Sequence, residues 1–289
     1  GHGGPDPAGG DAPRNTTLVM PGRPNALPVK AFVAELDKLG TGVDVTLVMV
    51  QCYSGGFANV IYNEGDPARG FAVHPRAGFF GTIASRTAAG CTPDIDEEDY
   101  HEFSTSFFEA LAGETRTGRP IPRPDYDGDG RTSFAEAFAH VLLTSETVDI
   151  PTTTSDRLLR DKSRFAAPDD DPGLGLLPQD APWSTVLAAA SPDRRAALEG
   201  LARSLGFDGE DRLARARAKA RELDPDRRRG RERDRDREQG PPREADARPA
   251  SEPEHEDHRA AQAPADEGRR RGGNPAGAAA GRLRSALAE

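Results

Sequence analysis

Apolar residues recur along the first half of the chain in two different periods, and their alternation sets the expected architecture. Thr16 to Met20 is a short apolar run that reads as a strand. Pro28 then stands at a first helical position, with Val29, Phe32, Val33, Leu36 and Leu39 behind it at helical spacing and Gly40 as the stop. VDVTLVMVQ, residues 43 to 51, is nearly continuous in Val, Leu and Met without polar alternation, the pattern of a strand buried on both faces. A second such strand is expected at GFFGTIA, residues 78 to 84. Tyr100, Phe103, Phe107, Phe108 and Leu111 mark an amphipathic helix closed by Gly113, and Phe134, Phe138, Val141 and Leu142 mark another that runs to Thr144. Strands alternating with helices predict an α/β domain with a largely parallel sheet over residues 1–165. The opening GHGGPDPAGGDAPR, rich in Gly and Pro, reads as a loop.

Periodicity changes after residue 165. Residues 166–182 form an acidic linker rich in Pro and Gly, and 183–222 read as a helical segment. In that segment Val186, Leu187, Leu198, Leu201 and Leu205 offer one apolar face, with Ser191-Pro192 dividing the first helix in two and a charged helix covering 209–222. The remaining 223–289 form a charged tail whose only large apolar side chains beyond Leu223 are Leu283 and Leu287. Ordering a backbone costs about 1 to 2 kcal/mol per residue, which so few apolar groups cannot offset, so the tail is expected to be disordered. Its run RGRERDRDRE is a solvated polyampholyte, and a protein partner is the one interaction kept open for it.

Charge divides along the same boundary. Of 48 Asp and Glu and 38 Lys and Arg in 289 residues, residues 224–289 hold 15 of each sign, so the whole net charge of −10 belongs to the part before them. A body that acidic is a poor partner for a phosphate backbone, which excludes nucleic acid as the expected ligand. No window approaches 18 consecutive apolar residues, so no membrane-spanning helix is expected.

The chemistry centres on Cys52, one of two cysteines, at the carboxyl end of the 43–51 strand and directly before a Ser-Gly-Gly turn. In open α/β sheets ligands sit in the crevice beyond the carboxyl ends of strands, where a thiolate is a competent nucleophile. Other nucleophile motifs fail on the letters. A phosphate-binding CxxxxxR loop needs arginine at position 58, which is Ala58; a GxSxG elbow on Ser54 needs glycine at 52; and no CxxC exists, since the second cysteine is Cys91. Cys91, in GCTPD, reads as inert packing. A histidine must serve Cys52, and His2 sits between glycines that let backbone approach a substrate. His74 and His101 are the alternatives, and His140 reads more simply as a core or surface residue.

A second motif is DYDGDGRTSFAE. It sets Asp125, Asp127 and Asp129 at loop positions 1, 3 and 5, Gly130 at 6, the Arg131 carbonyl at 7, Ser133 at 9 and Glu136 at 12, the order of an EF-hand calcium loop. Because RPIPRP precedes it, no helix enters the loop, and a bound Ca2+ is expected to be structural, fixing the entry to the helix from Phe134.

GHGG, followed some fifty residues later by VTLVMVQCYSGGF, resembles the His-Gly motif and nucleophile strand of the caspase and legumain group of cysteine peptidases, in particular bacterial caspase-like members. GFFGTIASR resembles the strand bordering their specificity pocket and YHEFSTSFFEAL the helix after it, so the likeness covers roughly residues 1–160. The resemblance implies a three-layer fold with a mostly parallel sheet, a peptide or protein substrate, Cys52 as nucleophile, His2 as general base and acid, and an oxyanion held by the N–H groups of Gly3 and Cys52. Ser85, Arg86 and Ser104 fall near the pocket segments. Val50 stands where legumains carry a pocket glutamate, and the strands that precede the histidine in the family have no counterpart before Gly1, so the domain reads as incomplete at its start. The alternative reading is a catalytically silent domain of the same shape that serves as a calcium-stabilised binding or scaffold unit.

Overall fold

Phe79 and Phe80 are neighbours on one strand, so their side chains leave it on opposite faces, and the two main apolar clusters are built one around each. The chain is represented by a computed structural model that describes residues 2–7, 15–22, 26–40, 42–89 and 102–222. The expectations for Cys91, for His101 and for the tail 223–289 lie outside the described residues.

Strand β4 (Val45–Met49) runs parallel to β5 (Arg76–Phe80), with Val45 opposite Arg76 and Met49 opposite Phe80, and β5 pairs antiparallel with β6 (Thr152–Thr153). On one face, α1 (Val29–Leu36) and the 3-10 helix Ser54–Ile61 bury Val29, Val33, Phe57 and Val60 against Phe80, Leu47 and Met49. On the other, α2 (Phe103–Ala112) and α3 (Phe134–Thr144) bury Phe103, Phe107, Phe138 and Val141 against Val48, Val50 and Phe79. Phe79 and Phe107 meet with ring centroids 5.4 Å apart. Each such ring contributes about 2 to 3 kcal/mol of burial, so the fold is fastened from both sides of a short sheet.

A separate antiparallel sheet joins β1 (His2–Gly4), β2 (Thr17–Val19) and β3 (Leu27–Pro28), with His2 opposite Val19 and Gly4 opposite Thr17. This corrects the reading of the opening residues as a loop. Gly and Pro content reports local preference, whereas residues 2–4 are held by pairing with a strand more than ten residues away.

The mixed α/β class stands, but among the described residues one strand pairing of four is parallel. Nor is β4 buried on both faces: Thr46 is exposed and its other residues are half-buried. The physical reason is position, because the sheet order β4-β5-β6 leaves β4 at an edge among the described residues. The second strand also begins earlier than its apolar run. Arg76 opens it fully inside, donating from Nη1 to the Val60 carbonyl at 3.0 Å and pairing through Nη2 with Asp37 at 2.5 Å. A charged residue with both partners on distant elements gives no local strand signal.

α4 (Thr154–Lys162) follows a capping Thr153, whose hydroxyl accepts from the Asp156 N–H at 3.1 Å. α5 (Trp183–Ala189) and α6 (Pro192–Ser204) are divided at Ser191 as expected, and α7 (Arg212–Glu222) follows. Ala197 of α6 joins the cluster around Phe107, and Leu201 packs with Leu143. The helical segment therefore shares a core with the α/β part.

Candidate active site

Cys52 lies three residues past β4, at the carboxyl end of its parallel pair, half-buried and with a free thiol. The residue after it, Tyr53, has φ of 60°, a left-handed conformation that costs a side-chain-bearing residue about 1 kcal/mol or more. Three hydrogen bonds hold it there. The Tyr53 N–H donates to the Arg86 carbonyl at 2.8 Å, and its own carbonyl accepts from the Thr16 hydroxyl at 2.9 Å and the Gly56 N–H at 3.1 Å. The two glycines of the turn are where no side chain fits: a Cβ on Gly55 would lie 2.7 Å from the Thr82 carbonyl oxygen, and one on Gly56 would lie 2.1 Å from Thr16 Oγ1. A tight, strained turn thus carries the cysteine.

Strand β1 lies against this turn. A Cβ on Gly3 would stand 1.9 Å from the Cys52 carbonyl oxygen and 2.8 Å from Gln51 Cγ, so the backbone of the His-Gly motif is in direct contact with that of the cysteine. His2 is exposed beside it. Among the described residues no oxygen accepts from the Cys52 N–H. The Ala88 N–H donates to Cys52 Sγ at 3.3 Å.

The remaining histidines are placed elsewhere. Because β4 and β5 are parallel with Val45 opposite Arg76, His74 sits at the end of the sheet away from Cys52, buried with no partner for Nδ1 among the described residues. His140 is on α3, where burial lowers its pKa against the opposing charge of Glu109. Of the pocket candidates, Arg86 touches the Cys52 turn through its carbonyl, and Ser85 precedes it on the same exposed bend. Ser104 is not brought to them. Its hydroxyl donates to Glu102 at 2.5 Å inside a separate depression of about 420 Å³ with Thr105, Phe108 and Glu109.

Two contributors escaped the sequence reading. Thr16 is wholly buried between Tyr53 and Gly56, 37 residues from the first of these. Asp149, 2% exposed, accepts from the Ala89 N–H at 2.6 Å and so steadies the segment that aims Ala88 at the sulfur. No spacing rule connects either residue to a cysteine so distant in the chain. Asp149→Ala is expected to slow alkylation of Cys52 by iodoacetamide several-fold while Asp149→Asn, which keeps an acceptor oxygen, retains most of the rate; equal rates in both would sever the link.

In the acidic loop, oxygens of Asp125, Asp127 and Glu136 lie within 4.8 Å of one another. Asp125 accepts from the N–H groups of Gly128, Asp129 and Gly130 at 2.8 to 3.0 Å, which winds the loop around its carboxylate. Gly130 takes the turn at φ of 82°. Glu136, 3% exposed, accepts from Tyr126 at 2.5 Å, Asp127 at 3.3 Å and Ser133 at 2.8 Å, and closes a capping box with Ser133 at the start of α3. Burial alone would raise its pKa, but the donors from Ser133, Tyr126 and Asp127 outweigh that and hold it below the usual glutamate value. Burial, and then the Glu136 charge, push the Tyr126 phenol upward. Asp129 stands outside the group of three, its carboxylate accepting from the Arg131 N–H at 2.8 Å. Three carboxylates gathered in this way offer the hard oxygen donors that a divalent cation takes.

Compared with protein-family models, curated proteins and solved structures, the chain matches none of them.

Proposed function

We propose that the protein is a cysteine-type endopeptidase of caspase-like three-layer build, hydrolysing peptide bonds through Cys52 and His2, with a structural calcium ion in the 125–136 loop. The observation that carries this reading is the contact of Gly3 with the Cys52 carbonyl, which sets the His-Gly motif beside a free thiol at the carboxyl end of a parallel strand pair. In the proposed reaction the His2 imidazole takes the thiol proton as Sγ attacks the scissile carbonyl carbon. The oxyanion accepts from the N–H groups of Gly3 and Cys52, donors whose removal typically costs about 3 to 4 kcal/mol in such reactions. Collapse breaks the C–N bond, the leaving amine takes the proton from the imidazolium, and water, deprotonated by His2, hydrolyses the thioester.

Asp125, Asp127 and Glu136 would hold the calcium ion, with Asp129, the Arg131 carbonyl and Ser133 following from the loop order. The ion supplies rigidity to the α3 entry and takes no part in bond cleavage. Exposed Arg86 and Ser85, beside the Cys52 turn, are the pocket residues that geometry favours, while Ser104 belongs to the depression over α2.

The test is cleavage of a peptide library together with labelling by a peptidyl electrophile. Wild type is expected to cleave and to be labelled once, Cys52→Ala to do neither, and His2→Ala to lose nearly all of both. If Cys52→Ala cleaves as wild type does, the peptidase reading is lost. The edge position of β4 among the described residues favours a second reading, a silent scaffold that binds a partner strand there; in that case labelling would be slow and indifferent to His2.

A further inference from the structure

Away from the cysteine, the loop 163–178 and helices α4, α5, α6 and α7 enclose a cavity of about 450 Å³. Its floor is apolar, made by Leu159, Leu177, Val186, Leu198 and Leu213 among others, and its walls carry four arginines, Arg160, Arg164, Arg194 and Arg217, with no acidic side chain in the lining. In a chain with ten more acidic than basic groups, four guanidinium groups around one apolar hollow run against the general charge. That volume and that mixture, an apolar body with a few convergent polar groups, are those of small-ligand sites.

The arginines are not equivalent. Arg164 is held in a fork by Asp170, with bonds of 2.5 and 2.6 Å, and this pair together with the Ala167 N–H draws the Asp170 pKa down to about 2. Arg160 donates to Asp156 at 2.9 Å. Arg217 has no carboxylate partner among the described residues: one nitrogen donates to the Gln179 carbonyl, and the guanidinium lies over the Phe165 ring at 5.0 Å. Burial, and then the neighbouring Arg221, disfavour its charged form. Among the described residues, this half-buried cation has a carbonyl and a ring for company, faces an apolar hollow and lacks an anion.

We propose that this cavity binds a small amphiphile with an alkyl body and a single anionic head, the body on Leu177, Val186, Leu198 and Leu213 and the head on Arg217. A guanidinium matches a carboxylate or sulfate through two parallel N–H donors, which a neutral head cannot use. The inference is independent of the peptidase reading.

Titration calorimetry of the full chain with octanoate, octyl sulfate and octanol tests it. Both anions are expected to bind and octanol to bind at least about tenfold more weakly, the difference a charged hydrogen-bonded pair makes. Arg217→Met keeps the packing stem and is expected to bring octanoate down to the octanol level. Ala189→Phe, at an exposed position on the cavity wall, is expected to block all three probes with far-ultraviolet circular dichroism unchanged. Octanol binding as tightly as octanoate, an unchanged octanoate affinity in Arg217→Met, or no heat from any probe would each overturn the proposal, the last whether the hollow is closed or filled by another part of the chain.

Discussion

Replacing Gly3 by alanine is expected to abolish peptide cleavage and electrophile labelling while costing the fold only about 1 to 3 kcal/mol. The added methyl would sit 1.9 Å from the Cys52 carbonyl oxygen, a clash of backbone against side chain that no rotamer relieves. Two elements could yield. The Cys52 turn is tied by Tyr53 to Arg86 and Thr16, and by Gly55 to the Thr82 carbonyl at 2.8 Å. Strand β1 has three residues and pairs with β2 on one side. The weaker element moves, so β1 detaches with His2 and the Gly3 N–H, and the core clusters on both faces of β4 and β5 stay closed. Urea unfolding measures the small stability loss and the labelling rate measures the large functional one. A variant that labels at the wild-type rate would show that β1 does not serve the cysteine.

Glu136→Ala is expected to destabilise the protein by about 2 to 4 kcal/mol and to erase its response to calcium. The carboxylate is the common acceptor for three N–H groups, those of Tyr126, Asp127 and Ser133, and an unsatisfied buried donor costs about 1 to 3 kcal/mol, less where water can enter. The loop opens to solvent beyond Asp127, so the lower part of the summed range applies. Losing the capping box also frays the first turn of α3, which carries Phe138 and Val141 into the core. Glu136→Gln keeps one acceptor oxygen and is expected to lose about half as much stability, but as much of the calcium response. In thermal melts, wild type should gain about 2.7 kcal/mol at calcium a hundredfold above its dissociation constant and lose it on chelation. Identical melts with calcium and with chelator would dismiss the ion.

Both predictions rest on features with different legibility. The calcium-like spacing was complete in the letters because the acidic positions lie within 12 consecutive residues, and the fold needed only to bring Asp125, Asp127 and Glu136 together. The helices α2 and α3 were legible for a similar reason, since a helix writes its buried face at intervals of three and four. Of the small sheet, β2 was legible as the apolar run Thr16 to Met20, but β1 and β3 were not, because they are three and two residues long and carry glycine or proline. Arg76 and α4 were also hidden: a charge buried by Asp37 and Val60, and a helix with little apolar stripe, look local only after their partners are in place.

By itself the sequence determined that Cys52 follows an apolar strand and precedes a glycine turn, that an acidic loop with calcium order enters an amphipathic helix, and that 166–222 differ from what precedes them. Those are short-range properties, fixed by residue order, side-chain period and backbone freedom. Only the tertiary structure decided that Gly3 meets the Cys52 carbonyl, that Thr16 and Asp149 support the turn, that Ser104 faces another hollow, and that β4, half-buried, is an edge strand among the described residues. The contacts of Gly3, Thr16 and Asp149 join segments tens of residues apart, and it is the burial of Phe79 and Phe80 against helices on both faces of the sheet that brings them together.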